Sequence, residues 1–396
     1  MPGFIVKGFH FSGISAGIKD NGKKDLSLIF SLVPAVASGV FTKNRVQAAP
    51  VILDRQLIRK GIVQAVVINS GNANACTGAR GLSDATKMGA ETARALGIDQ
   101  RQVLVSSTGK IGVSFPIQRV TTAIPRLVKA LKPDGLEDAA RGILTTDKRP
   151  KYLTDSVRIG GHRIHLAGFA KGAGMIHPNM ATMLAYFVTD LNIGQPLLAK
   201  IFRSIVAASF NQITVDGDMS TNDTALVMAN RLVGQNPVTA GSPGARRFEG
   251  MLAEMADVLA REIVMDGEGA TKCVDIFVEG AGTDAHARQI AGSIGKSLLV
   301  KTALFGEDPN WGRIVAAVGY AGVRFDPAKV DVFIGKVPLV RSGTAVGGDS
   351  QTRARREMKK VRFSIRVRLH QGNGNAHLYT SDLTYEYVRI NAEYTT

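Results

Sequence analysis

Lys171-Gly-Ala-Gly-Met-Ile-His-Pro-Asn-Met-Ala-Thr182 runs directly into the apolar segment Met183-Leu-Ala-Tyr-Phe-Val188. Apolar, aromatic and β-branched residues in a short uninterrupted run predict a buried strand, and the glycines before it predict a turn in which backbone amides approach a neighbouring group closely. By pattern alone this is a glycine-rich turn leading into a core strand. It also sets the hydroxyl of Thr182 at a loop-to-strand junction, where a rigid strand would hold a nucleophile in place.

Outward from this stretch, short β-like runs such as Ile62–Ile68 and Gln102–Val105 alternate with segments of helical spacing, so the fold class is mixed α and β. Ser83 or Asp84 is the expected cap of a helix ending at Leu96-Gly97, glycine suiting the left-handed position after a helix. Leu198, Ile201, Phe202 and Ile205 mark a second helix, and Phe248, Leu252, Met255, Leu259 and Ile263 a third. Asn236–Gly244 reads as an exposed loop. Val361–Leu369 alternates apolar residues with Arg362, Ser364, Arg366 and Arg368, the pattern of a half-buried strand with one basic face.

The 396 residues, 45% of them hydrophobic, suffice for one large domain or two closely packed ones. No apolar run reaches the ~20 residues of a membrane-spanning helix, and the N-terminus lacks a secretory-signal layout, so a cytoplasmic protein is expected. Cys76 and Cys273 read as two ordinary buried thiols, and His162 and His165 lack further ligands for a metal shell; no metal is expected. Forty-nine basic against 33 acidic residues give a net charge of +16. A solvated basic strand face accounts for this more simply than nucleic-acid binding, and it would favour encounter with anionic small molecules.

Further segments complete a series: Gly39-Val-Phe-Thr-Lys-Asn44 with Ala48-Ala-Pro50, Asn69–Gly78, Ser107-Thr-Gly-Lys-Ile-Gly112, Ser209–Asp218 with Ser220-Thr-Asn-Asp-Thr224, Asp266-Gly-Glu-Gly-Ala-Thr-Lys272, Lys301–Arg313, and Tyr387-Val-Arg-Ile-Asn391. In this order, and together with Lys171–Thr182, they resemble the bifunctional ornithine acetyltransferase/glutamate N-acetyltransferase family of arginine biosynthesis over nearly the whole chain.

The resemblance implies an α/β fold shared with self-cleaving aminopeptidases, sheets sandwiched between helices, and self-cleavage between Ala181 and Thr182. The products would be an α chain of residues 1–181 and a β chain of residues 182–396, intertwined in one folded unit and assembled as two α and two β chains. It implies Thr182 as nucleophile, Thr108 and Gly109 as the oxyanion hole, and Lys148, Lys171, Thr182, Glu268, Asn391 and Thr396 as substrate-binding residues. Family members usually carry threonine where Lys148 stands. The expected substrates are N-acetylornithine and glutamate, with acetyl-CoA as a possible second donor and no cofactor. The rival on the same fold is an N-terminal-nucleophile aminopeptidase or amidase. His177, five residues before Thr182, is expected to shape a turn before Pro178.

Overall fold

The computed structural model describes residues 5–20, 22–177 and 183–393; the expected cleavage position Ala181–Thr182 and the tail residue Thr396 lie outside them. In chain order the elements are β1 (Phe9–Ile14), β2 (Leu26–Phe41), α1 (Ala49–Leu57), β3 (Ile62–Asn72), α2 (Gly78–Leu96), β4 (Val103–Lys110), α3 (Ile117–Lys129), α4 (Leu136–Gly142), β5 (Lys151–Ile159), β6 (His162–Lys171) and β7 (Leu184–Ile193). They continue as α5 (Gln195–Ala208), β8 (Ile213–Thr214), β9 (Thr224–Val238), α6 (Pro243–Met265), β10 (Cys273–Ala281), α7 (Asp284–Lys296), α8 (Leu298–Phe305), α9 (Trp311–Gly319), β11 (Asp331–Ile334), β12 (Val337–Arg341), β13 (Thr344–Ala345), α10 (Ser350–Met358), β14 (Arg362–Arg368), β15 (Gly374–Ser381) and α11 (Tyr385–Glu393).

Two sheets result, and the chain has the mixed α/β architecture its periodicities predict. The first runs β4-β3-β2-β9-β7-β6-β5 with β1 on β2, the second β13-β12-β11-β14-β10-β15-β8. β7 is the apolar run that opened the reading. Ala185 and Phe187 join one hydrophobic cluster, with Phe202 of α5 and the stripe Phe248, Leu252, Met255, Leu259 and Ile263 of α6. Leu184, Tyr186 and Val188 join the cluster on the opposite face. A strand covered on both faces has no polar side to show, which is why its sequence lacks alternation. The second sheet packs Val274, Ile276 and Val278 of β10 and Ile365 and Val367 of β14 against α7, α9 and α10.

The register brings several strand ends to one level. Lys171, the last residue of β6, pairs with Leu184, the first of β7. Leu184 in turn lies beside Thr224, the first residue of β9, which runs parallel to β7. Phe41 closes β2 against the same Thr224. A parallel neighbour starting at the same height, with α5 in the crossover between, turns this edge of the sheet into a common rim from which loops project.

Four expectations need correction. α2 begins at Gly78, not near Ser83, because Thr77 bonds Asn74 at 2.8 Å and Gly81 allows the first turn to sit against both; its end at Gly97, φ 67°, is as expected. Asn236–Val238 belong to β9, not to the loop that follows. Cys76 is exposed, not buried, since it lies in the turn just before α2, outside the strand and helix that pack into the core. The basic face of β14 is not a freely solvated row: Arg362 bonds Asp275 at 3.0 Å, and Arg366 and Arg368 both pair with Glu279 on the neighbouring β10.

Candidate active site

Parallel pairing of β3 and β4 ends in an unusual close approach. Gly71 faces Gly109, with φ of +101° and +132°, and a Cβ on Gly109 would lie 2.3 Å from the Gly71 carbonyl carbon and 2.5 Å from the Asn72 nitrogen. Only glycine fits there. The strand end is then pinned by buried amides. Asn222 donates to the carbonyls of Ala73 (2.6 Å) and Ser107 (2.8 Å), Ser107 donates to Asn69 (2.6 Å), and Asn69 donates to the Asn72 carbonyl (2.8 Å). Thr108, buried between these anchors, thereby acquires a fixed position at the rim.

Lys171 enters from β6, fully buried, and its ammonium donates to the hydroxyls of Thr145 (2.8 Å) and Thr108 (3.2 Å). With its oxygen accepting from Lys171, Thr108 keeps its own hydroxyl proton to donate elsewhere. Burial holds the Lys171 amine below its ordinary value, an effect offset by Asp147 and reinforced by the like charge of Lys151. Behind it lies an ionic cluster with almost no solvent exposure: Lys151 bonds Asp147 at 2.7 Å and Asp266 at 2.5 Å. Burial pulls the Asp147 carboxyl upward, yet Lys151 and Lys171 hold it well below the usual carboxylate range. Asp147 therefore stays ionised and accepts the Gly172 backbone N–H at 2.8 Å, fixing the start of the glycine-rich segment.

Glu268 sits opposite, in the Asp266–Lys272 turn. Its backbone N–H donates to the Ala173 carbonyl at 2.9 Å, and its carboxylate accepts from Asn391 of α11 at 2.8 Å. Gly174 makes room for that carboxylate, since a Cβ there would lie 2.5 Å from it. The C-terminal helix is held over the site by Asp382, which accepts from the Thr271 and Lys272 backbones at 2.9 and 3.0 Å, and by Thr384, which donates to the Gly269 carbonyl at 2.8 Å. The fully buried Lys301 adds bonds to Thr380 and to the hydroxyl of Ser381, at 3.3 and 3.2 Å.

One cavity thus collects Thr108, Gly109, Lys171, Glu268 and Asn391, five of the residues singled out from sequence, contributed by separate segments across nearly three hundred residues. Lys148 is not among its walls. Its side chain is exposed, its backbone N–H donates to Asp266 at 3.1 Å, and Thr145 and Thr146 form the cavity wall at that turn. Besides Ile111 and Gly174, residues that sequence reading left without a role also line it: Met175, Asp216, Asp218, Ser220, Asn222 and Tyr387. The signal for most of them was the Val215–Thr224 stretch, whose cluster of short polar residues makes sense only once it is seen folded against the rim. His177 lines a different cavity, with Asn211, Arg288 and Lys296. Burial and the charge of Lys296 lower its imidazole to about 4, leaving it neutral.

A buried cation, a carboxylate opposite it, and a threonine-glycine pair at a strand end form a site for a small molecule bearing both charges, beside donors suited to a developing oxyanion. Comparison with known proteins identifies the family. The ArgJ family matches residues 10–396. The chain is 49% identical over 391 residues to the arginine biosynthesis bifunctional protein ArgJ of Geobacter sulfurreducens, covering 99% of this chain and 100% of that one. It is 47% identical over 392 residues to the ArgJ protein of Syntrophotalea carbinolica, covering 99% of each. The crystal structure of the ArgJ protein of Bacillus halodurans superposes with a TM-score of 0.50 at 40% identity, covering 52% of this chain and 96% of that one. The chain belongs to the ArgJ family of bifunctional arginine-biosynthesis enzymes and is an acetyltransferase.

Proposed function

We propose that the chain cleaves itself between Ala181 and Thr182 and then moves an acetyl group from N2-acetylornithine to glutamate through Thr182. The observation that carries this reading is the cavity in which Thr108, Gly109, Lys171, Glu268 and Asn391 meet, at the rim where β7 begins one residue after Met183. In the first step the Thr182 hydroxyl adds to the Ala181 carbonyl, the Ala181–Thr182 C–N bond breaks as the nitrogen takes up a proton, and water hydrolyses the resulting ester. The new α-amine, with a pKa of about 7.7–8.0, is the base that accepts the hydroxyl proton in the next step.

Thr182 then attacks the acetyl carbonyl of N2-acetylornithine. The amide C–N bond breaks, the proton passes to the departing amine, and ornithine leaves. Glutamate's amine attacks the acetyl ester in the second half reaction and restores the threonine hydroxyl. The bonds broken and made are both amides, so the exchange needs no ATP. Thr108 and Gly109 are the donors to each oxyanion; Lys171 pairs with a substrate carboxylate and Glu268 with an ammonium group. Acetyl-CoA serves as a second donor in this reading, and two α and two β chains assemble in the cytoplasm.

Incubating the purified protein with N2-acetylornithine and measuring intact masses tests this directly. Fragments 1–181 and 182–396 are expected, with one acetyl group on the latter that disappears on adding glutamate as N-acetylglutamate forms. Release of free acetate without any need for glutamate would instead mark a hydrolase, and an unbroken, unacetylated chain would end the proposal.

Glu268→Gln keeps the size of the side chain and an acceptor for Asn391 while removing the charge. Loss of one charge-assisted bond, about 1.5–3 kcal/mol, lowers kcat/KM for N2-acetylornithine about 10- to 100-fold. Thermal unfolding should stay close to that of the wild type, and steady-state kinetics beside a melting curve checks both.

A further inference from the structure

The connection between β8 and β9 grips the glycine-rich segment at two places that flank the Ala181–Thr182 bond in sequence. On the N-terminal side both oxygens of Asp216 are engaged: Met175 N–H donates to Oδ2 at 2.6 Å and Ile176 N–H to Oδ1 at 2.8 Å. The Ile176 carbonyl accepts from the Val215 N–H at 2.9 Å and the Thr214 hydroxyl at 3.0 Å. These four bonds hold Met175 in a left-handed conformation, φ 58°, which costs a residue with a Cβ roughly 1–2 kcal/mol. On the C-terminal side Met183 N–H donates to Oδ1 of Asp223 at 3.1 Å, and the Met183 carbonyl accepts from Thr224 N–H at 3.1 Å.

We propose that Asp216 and Asp223 are positioning residues for self-cleavage: one carboxyl fixes the chain before the scissile bond, the other fixes it one residue beyond Thr182, and together they set the geometry in which hydroxyl and carbonyl meet. This rests on Thr182 being the self-cleaving nucleophile. Neither carboxyl is assigned to the reacting atoms; each acts by holding backbone amides. Effective molarity in an intramolecular attack depends on this kind of fixation, and a displacement of ~1 Å costs about 100-fold in rate.

The Asp216 grip also gives a pH signature. Burial raises this carboxyl to about 6, its three backbone N–H donors pull it down, and Asp218 adds to the rise. Lys301 of α8 and Tyr387 of α11 face it from the other elements packed there, and Lys171 of β6 faces Asp223. Protonation turns one acceptor oxygen of Asp216 into a donor facing an N–H. Above about pH 6 both oxygens accept; below it one N–H loses its acceptor while the other contact remains, and because the buried site favours the neutral form, acid weakens this contact without releasing the segment.

The test follows cleavage of freshly synthesised full-length chain by gel and intact mass from pH 5 to 8, for wild type, Asp216→Asn, Asp223→Asn and Asp216→Glu. Both asparagine variants should cleave about 10- to 100-fold more slowly at pH 7.5, the wild-type rate should fall through pH 6, and this acid limb should be missing in Asp216→Asn. Asp216→Glu should recover part of the rate and the acid limb. Wild-type rates and profiles in both asparagine variants would overturn the proposal. A wild type that never cleaves would overturn the self-cleavage reading first, and this inference with it. Should a variant fail to fold, amide exchange in peptide 172–177 of the Thr182→Ala chain at pH 7 decides: slowed exchange at the Met175 and Ile176 amides supports the grip, and exchange at the intrinsic rate refutes it.

Discussion

On the proposed mechanism, Thr182→Ala is expected to leave a single chain of 396 residues and to abolish transfer of acetyl from N2-acetylornithine to glutamate. Both effects follow from one missing oxygen. Without the hydroxyl nothing adds to the Ala181 carbonyl, so no new N-terminus forms; without the new α-amine and the hydroxyl together, no acetyl ester forms on the chain. Loss of a covalent nucleophile has cost about 10⁶-fold in kcat in a protease, and a comparable loss is expected here. Thr182→Ser supplies the counter-test, since it retains an oxygen at the same position and should retain cleavage and a measurable fraction of transfer. Intact mass and a discontinuous assay for N-acetylglutamate read both outcomes; normal turnover by the alanine variant would remove Thr182 from the mechanism.

Gly109→Ala is expected to have the next largest effect, for two separable reasons. A Cβ would meet backbone atoms of Gly71 and Asn72 at 2.3–2.7 Å, which no rotamer change relieves, and the residue's φ of +132° is unfavourable for any side chain. Strain of this kind costs about 1–3 kcal/mol, and relief requires β3 and β4 to part at the strand end. On the proposed mechanism that movement takes Thr108 and the Gly109 amide away from the oxyanion, and loss of one such donor typically lowers kcat about 10²- to 10³-fold. Gly112→Ala is the matched control: its φ is +76° but nothing lies within 4 Å of its added Cβ. It should lower stability by about 1–2 kcal/mol while kcat stays within twofold. Equal losses of kcat in the two variants would show strain alone to be responsible.

Much of the fold was legible because the residues that write it are local. The apolar stripe of α6 and the run of β7 repeat at the spacing of the elements they form, and Gly97 ends α2 where a left-handed residue is needed. The start of α2 was not legible, since it depends on Thr77, Asn74 and Gly81 packing together around a turn. The arginines of β14 looked like a free basic face because their partners, Asp275 and Glu279, lie on β10 almost ninety residues earlier. Charge along a strand is visible in sequence, but its neutralisation across a sheet requires the register.

The candidate site divides in the same way. Lys171, Glu268, Thr108, Gly109 and Asn391 could be singled out only because the segments that carry them resemble the family's, and what the sequence by itself determined was which groups were available: hydroxyls, a cation, a carboxylate and glycines in turns. Which groups act together was decided only by tertiary structure. The common level of β2, β6, β7 and β9 at one rim brings those residues to a single cavity while Lys148 stays outside, and it is burial that lowers the Lys171 amine and raises the carboxyls of Asp216 and Asp223. Desolvation and contact between distant segments are properties of the packed chain, so no local pattern of residues could have specified them.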